Sequence, residues 1–259
     1  MVITLKRIIE GFRWRADALY TRLPYRMRVW ILERRNRARA NLGLSFVDTR
    51  RLTESYRRAW ELLLAEDPTA ATGEYLEFGV YYGSSIACMH DALERLGLRQ
   101  VRIFGFDSFE GLPDSADKEP ASPWLPGQYR SSMELIRRFL RKRGVPPERV
   151  TLIKGWFSSL TQAHASEHGM SRASIVNFDC DLYSSTREAL AFAGPLLGRC
   201  AVVYFDDWHA AGMADKGEGQ RRAFEEFLAG NPGFVAREID GLEYNPRVKV
   251  FMVSRPTPP

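Results

Sequence analysis

The stretch E-Y-L-E-F-G-V-Y-Y-G-S-S, residues 74–85, decides the fold. Residues 74–79 read as an apolar strand that carries Glu77 and closes on Gly79, and residues 84–96 as a helix that Gly97 stops. Gly79 and Gly83 bracket the turn between them. A strand, a glycine turn and a helix in this order bring a ligand close to the backbone and aim the free N–H groups of the helix N-terminus at it.

Outward from this unit, strands at 101–107, 150–154, 174–179 and 200–206 alternate with helices at 131–143, 184–197 and 220–229. That alternation defines an α/β chain: a doubly wound, Rossmann-like parallel sheet with helices on both faces. Residues 234–239 and 248–253 lie too close together for a crossover helix, so the last strand pair should be antiparallel. Residues 110–130 hold four prolines and no period, the mark of a binding loop. Upstream, residues 49–65 form an amphipathic helix with Leu52, Tyr56, Trp60 and Leu63 on one face. Residues 1–40 read as two helical stretches divided near Leu23-Pro24, with Met27, Trp30 and Ile31 as the apolar positions of the second. The division is a basic helical arm, residues 1–47, and one large domain, residues 48–259.

The net charge is +5, and residues 1–51 hold 13 Lys/Arg against 4 Asp/Glu, a net +9 that leaves −4 for the rest. The domain itself is therefore acidic, which argues against a nucleic-acid groove. A basic amphipathic arm fits a solvated face, packing against a subunit or the acidic domain, or a peripheral contact with an anionic membrane surface. Cys88, Cys180 and Cys200 are scattered through apolar elements, as expected of buried free thiols in a reducing cytoplasm. No secretory signal and no long apolar run is visible. The expected location is cytoplasmic, at the inner face of the membrane if the arm makes that contact, and copies of the chain are expected to assemble.

Asp107 ends the second strand, 28 residues past Gly79, where a carboxylate suits bidentate hydrogen bonding to a ribose diol. Val80-Tyr81-Tyr82 fill the turn where a pyrophosphate would need room. A cofactor with adenosine and no phosphate fits better, and S-adenosyl-L-methionine is that cofactor. Two further strands end in acid, N-F-D-C-D at 177–181 and Y-F-D-D-W-H at 204–209. Asp179, Asp206 and Asp207 offer hard oxygen ligands, the donor set of Mg²⁺ or Mn²⁺, and three carboxylates together need a counter-charge. Beside a methyl sulfonium such an ion would bind an acceptor hydroxyl, lower its pKa and align its oxygen with the S–CH₃ bond. D-C-D also admits the D-x-D reading of a metal-dependent nucleotide-sugar glycosyltransferase. The glycine turn and the separate Asp206-Asp207 strand count against it.

Taken in order with F-D-S-F-E-G-L-P (106–113), K-G-W-F (154–157) and F-D-C-D-L-Y-S-S-T (178–186), these motifs resemble the macrocin O-methyltransferase family. Its members are class I, magnesium-dependent methyltransferases that tailor macrolide and aminocoumarin sugars. The resemblance spans roughly residues 48–253 and implies a seven-stranded sheet with the last pair reversed. It implies S-adenosyl-L-methionine at Glu77, Gly79, Gly83, Asp107 and the loop at Gly155-Trp156, with Val80, Tyr81, Ser84, Ser108 and Asp179 from the same motifs. It implies a divalent ion at Asp179, Asp206 and Asp207, and a hydroxyl acceptor on a sugar of a glycosylated small molecule or saccharide. The same fold also serves N-methyltransferases and hydroxylases. Catechol-type relatives carry a lysine three residues after the first metal aspartate, where this chain has Leu182. Asp181 or His209 is then the expected base, beside Asp179 in the catalytic set. Trp156 and Phe157 are expected to flank adenine, and Trp124, Tyr129 and Arg130 to meet the acceptor or the domain beneath.

Overall fold

A computed structural model of the protein describes residues 23–255. Among them, seven strands form one sheet: β1 Glu74–Phe78, β2 Ile103–Asp107, β3 Val150–Lys154, β4 Ala173–Phe178, β5 Leu197–Phe205, β6 Val235–Glu238 and β7 Lys249–Ser254. Their order is β3-β2-β1-β4-β5-β7-β6. The first five run parallel, and β7 runs antiparallel to both β5 and β6. The order reverses between β1 and β4, and in an open α/β sheet ligands bind beyond the strand ends at that point.

The helices are α1 Tyr25–Asn41, α2 Thr49–Glu66, α3 Ser84–Leu96, α4 Met133–Lys142, α5 Gln162–Glu167, α6 Tyr183–Ala193 and α7 Gly219–Gly230. The two-residue period of a strand sends alternate side chains to opposite faces. Tyr75, Ile103, Ile175, Val202 and Tyr204 meet α2, α3 and α4. Leu76, Phe104, Val176 and Val203 meet the side of α6 and α7. The amphipathic face of α2 is fully buried at Leu52, Tyr56, Trp60 and Leu63, as its spacing predicts.

The last apolar residues of four strands form a row. Phe78 pairs in register with Phe106 on one side and Phe178 on the other, and Phe178 with Phe205. The rings stack at centroid distances of 4.8, 5.3 and 5.2 Å. One step beyond this row stand Asp107, Gly79, Asp179 and Asp206. The register therefore delivers the glycine turn and three aspartates to one level of one sheet edge.

Elements depart from the sequence reading where local chemistry is unusual. The short α5 is polar and escaped a period-based search. His164 closes its N-terminus in place of the usual Glu or Gln, with its ring nitrogen 3.2 Å from the Thr161 N–H. The helix expected to run to residue 197 stops at Ala193, because Gly194-Pro195 turns the chain and β5 begins early. Helix α1 starts after Pro24, where the second basic stretch was expected, but Met27 and Trp30 face solvent at 51% and 56% exposure. Its inner face instead uses polar groups. Glu33 accepts the Tyr129 N–H at 3.2 Å, and Asn36 donates to the Tyr81 hydroxyl at 3.1 Å. The first basic stretch, with Ile8, Ile9, Phe12 and Leu19, lies outside the described residues.

Among the described glycines, Gly79 has the least room for a side chain. Its φ is +91°, and a Cβ there would stand 1.8 Å from the Asp179 carbonyl oxygen. Gly79→Ala is expected to lower the unfolding free energy by more than about 1 kcal/mol, since it adds both strain and a backbone clash. Urea denaturation of the two proteins measures this, and an unchanged midpoint would contradict the packing described.

Candidate active site

Beyond the strand ends lies a cavity of about 500 Å³. Gly79, Tyr81, Asp107, Ser108, Gly155, Trp156 and Asp179 line it, as do Asp181, Asp206 and Asp207. Four expected cofactor residues stand behind the wall instead. Gly83 caps α3 in a left-handed conformation, and Ser84 Oγ accepts the Phe46 N–H. The Val80 side chain is buried in the core, and its N–H donates to Asp107. Glu77 is fully buried and absent from the cavity lining. Strand alternation turns it, like Tyr75, under α2 and α3. There it accepts hydrogen bonds from the Tyr75 hydroxyl and from Ser85 Oγ at 2.7 Å. Burial pushes its pKa up to about 7, against the lowering effect of those two donors.

Asp107 has a structural task as well as a wall position. One oxygen accepts the N–H groups of Val80 (2.8 Å) and Tyr81 (3.1 Å), and the other that of Phe109 (2.7 Å). The carboxylate thus ties the glycine turn of β1 to the end of β2. Burial raises its pKa against those three N–H donors.

Asp179, Asp206 and Asp207 each offer a carboxylate oxygen, all within 4.8 Å of one another. Burial and mutual repulsion raise the pKa of Asp179 and of Asp207. Asp207 Oδ2 is buried with no hydrogen-bond partner. Hard oxygens at this spacing, with one of them orphaned, fit a divalent Mg²⁺ or Mn²⁺ ion. Asp181 joins them from a left-handed backbone, φ +61°, and burial followed by Asp207 and Asp206 raises its pKa too. His209 is exposed, does not line the cavity, and its backbone N–H bonds the Arg247 carbonyl.

The site also recruits residues that motif reading missed. Gln220 on α7 is fully buried and bridges two strand ends, accepting the Asp207 N–H at 2.9 Å and donating to the Phe178 carbonyl at 2.8 Å. The Tyr244 hydroxyl donates to Asp206. Glu119 in the long loop accepts the N–H groups of Tyr183 and Ser184 at the start of α6. Asn36, Phe46 and Val47, all in the segment set apart as a basic arm, line the cavity. Of the loop residues, Tyr129 lines the cavity, Trp124 packs in a small core with Ala116 and Leu182, and Arg130 is exposed. Phe157 lines the cavity and meets Phe78 edge-on at 5.5 Å.

The family profile described as macrocin-O-methyltransferase (TylF) matches residues 27–229, well over half of the chain. The chain belongs to the macrocin O-methyltransferase family. The match starts inside α1, upstream of the boundary drawn at residue 47. Among curated relatives, it is 28% identical over 142 residues to the 8-demethyl-8-(2,3-dimethoxy-α-L-rhamnosyl)-tetracenomycin-C 4′-O-methyltransferase of Streptomyces olivaceus. That alignment covers 52% of this chain and 53% of the relative. It is 25% identical over 144 residues to the mycinamicin III 3″-O-methyltransferase of Micromonospora griseorubida, covering 52% and 55%. The chain thus spans about half the length of the curated relatives it matches. In fold it is similar to the O-methyltransferase NovP, with a TM-score of 0.64 at 20% identity over 79% of this chain and 80% of that one. It is also similar to the calicheamicin methyltransferase CalS11, with a TM-score of 0.59 at 21% identity over 76% and 77%.

The buried Glu77 has a pH consequence. Its folded pKa lies above that of the unfolded chain, so between about pH 4.5 and 7 the folded state holds a proton that the unfolded state has released. Stability contributed by the neutral form is present at low pH and is lost as pH rises through about 7. Glu77→Gln should reduce the fall in unfolding free energy between pH 5 and 7.5 by about 2–3 kcal/mol. Urea melts of both proteins in EDTA measure the difference, and equal slopes would show that Glu77 stays ionised in the fold.

Proposed function

We propose that the protein transfers a methyl group from S-adenosyl-L-methionine to a sugar hydroxyl of a glycosylated small molecule or saccharide, at a Mg²⁺ or Mn²⁺ site. The observation that carries this reading is the carboxylate triad facing the same cavity as the glycine turn and Asp107. The relatives named for rhamnosyl-tetracenomycin and mycinamicin support a glycosylated acceptor.

On this reading Asp107 turns its carboxylate edge to the ribose, and the Gly155-Trp156 loop flanks adenine. Asp179, Asp206 and Asp207 would hold the ion, which when bound holds the acceptor hydroxyls and makes them more acidic. Asp181 takes the proton. It lines the cavity two residues from Asp179, and a carboxylate facing the acceptor space can take up a hydroxyl proton. His209 is set aside, because it is exposed and outside the wall. Tyr129 and the long loop exclude water from the transfer path.

Methyl transfer should therefore vanish in EDTA and return with Mg²⁺ or Mn²⁺. Asp206→Asn should lose turnover far more than S-adenosylhomocysteine affinity, and Asp181→Asn should lose turnover while keeping Mn²⁺. Asp107→Ala should weaken S-adenosylhomocysteine at least tenfold, about 1.4 kcal/mol. Full activity of metal-free enzyme would end the metal reading, and unchanged calorimetric affinity in Asp107→Ala would end the ribose assignment.

We also propose a peripheral contact with an anionic membrane surface through the basic N-terminal segment. Among the described residues, no helix is long and apolar enough to cross a membrane. What supports the contact is the outer face of α1, where Arg26, Met27, Trp30 and Arg34 are exposed and the Arg34 guanidinium lies 4.8 Å from the Trp30 ring centre. Anionic vesicles should retain the protein at low salt and release it at high salt, and Arg26→Gln with Arg34→Gln should weaken retention. Equal cosedimentation of the variant would remove the idea. A self-association role for the same face would appear as concentration-dependent sedimentation without vesicles.

A further inference from the structure

One cation near the carboxylate cluster has no task in the transfer chemistry. Arg247 lies in the connection between β6 and β7, three residues past Tyr244. Its terminal nitrogens are 3.9 Å from Asp206 Oδ2 and 3.8 Å from Asp207 Oδ1. These are ion-pair separations, well outside the hydrogen-bond range. The Arg247 side chain is 55% exposed, whereas those of Asp206 and Asp207 are 9% and 3% exposed. The guanidinium thus reaches over the cluster from the cavity side and is not locked into it.

Its backbone, by contrast, is fixed. The Arg247 N–H donates to Asn245 Oδ1 at 2.8 Å, and its carbonyl accepts the His209 N–H at 2.9 Å. The side chain is held by those two long ion pairs. We propose that Arg247 is a displaceable counter-charge: it balances the aspartates when no cation is bound, and a divalent cation entering the triad must push it aside. This rests on the metal reading above.

The argument is one of like charges. A dication among Asp179, Asp206 and Asp207 would stand close to the guanidinium in its present position, in a cluster shielded from water, where repulsion between cations is weakly screened. Arg247 withdraws along its exposed side, toward the cavity wall that Tyr129 shares. The ion must break the Arg247 pairs before it gains its own contacts, so its affinity is lower than the carboxylate set alone would give. A purely structural ion pair makes the opposite prediction, because removing it would loosen the triad and weaken the cation.

The test is Mn²⁺ binding to the full chain, followed by calorimetry and by the electron paramagnetic resonance signal of free Mn²⁺. Arg247→Gln should bind Mn²⁺ at least about fivefold more tightly than the wild type, and Arg247→Lys, which keeps the charge, should stay within about twofold of it. Asp206→Asn should lose the Mn²⁺, which locates the ion in the triad. Equal or weaker binding by Arg247→Gln overturns the proposal, and so does Arg247→Lys matching Arg247→Gln. A wild type that binds no Mn²⁺ at all overturns the metal reading itself and this inference with it.

Discussion

The register of four phenylalanines carries the rest of the structure. Phe106, Phe78, Phe178 and Phe205 stack across adjacent strands in that order. A one-residue slip of any strand would send its phenylalanine to the opposite face and move the residue after it away from the site. Because the rings are locked, Asp107, Gly79, Asp179 and Asp206 emerge together at the edge where the strand order reverses. The aromatic row is thus the last layer of the core, one residue below the level at which Gly79, Asp107, Asp179 and Asp206 line the cavity.

What is brought together there repels itself. Burial, and then the charge of neighbouring carboxylates, raises the pKa of Asp179, Asp181 and Asp207. The surrounding chain supplies the restraint. Gln220 spans the two strand ends through backbone bonds, Tyr244 holds one oxygen of Asp206, and Arg247 lends a loose positive charge. Backbone strain gathers at the same place. Tyr81, Phe109, Tyr129 and Asp181 all have positive φ, a conformation that costs non-glycine residues roughly 1–3 kcal/mol each. Three of these four line the cavity. The fold holds them through the Asp107 bonds, the Asn36–Tyr81 bond and the Glu33–Tyr129 bond, so the long loop and α1 are parts of one wall.

That wall changes the meaning of the basic segment. On charge alone it separates from the acidic domain. In three dimensions Tyr25 donates to the Pro123 carbonyl at 2.7 Å and Glu33 holds the loop at Tyr129. A helix with one face on the long loop and the other carrying Arg26, Trp30 and Arg34 joins the cavity to the outer surface.

The sequence by itself determined the α/β class, the strand succession, the reversed final pair and the identity of the acidic strand ends. All of these are written in short-range signals: apolar period, glycine turns and the residue that follows each apolar run. It also determined the α2 face, because Leu52, Tyr56, Trp60 and Leu63 recur at helical spacing. Only the tertiary structure decided which of the marked residues face the cavity. Glu77 looked equivalent to Asp107 as an acid near a strand end, yet it precedes the last residue of β1 and alternation turns it under the helices, while Asp107 is the last residue of β2. His209 and Asp181 looked alike as bases until the loop after β5 carried His209 outward and the left-handed turn at Asp181 pointed inward. Gln220, Tyr244, Arg247, Glu119 and Asn36 had no local signal at all. Each meets its partner across 13 to 65 residues of chain. Contacts over such distances follow from register and loop closure, which residue spacing does not encode.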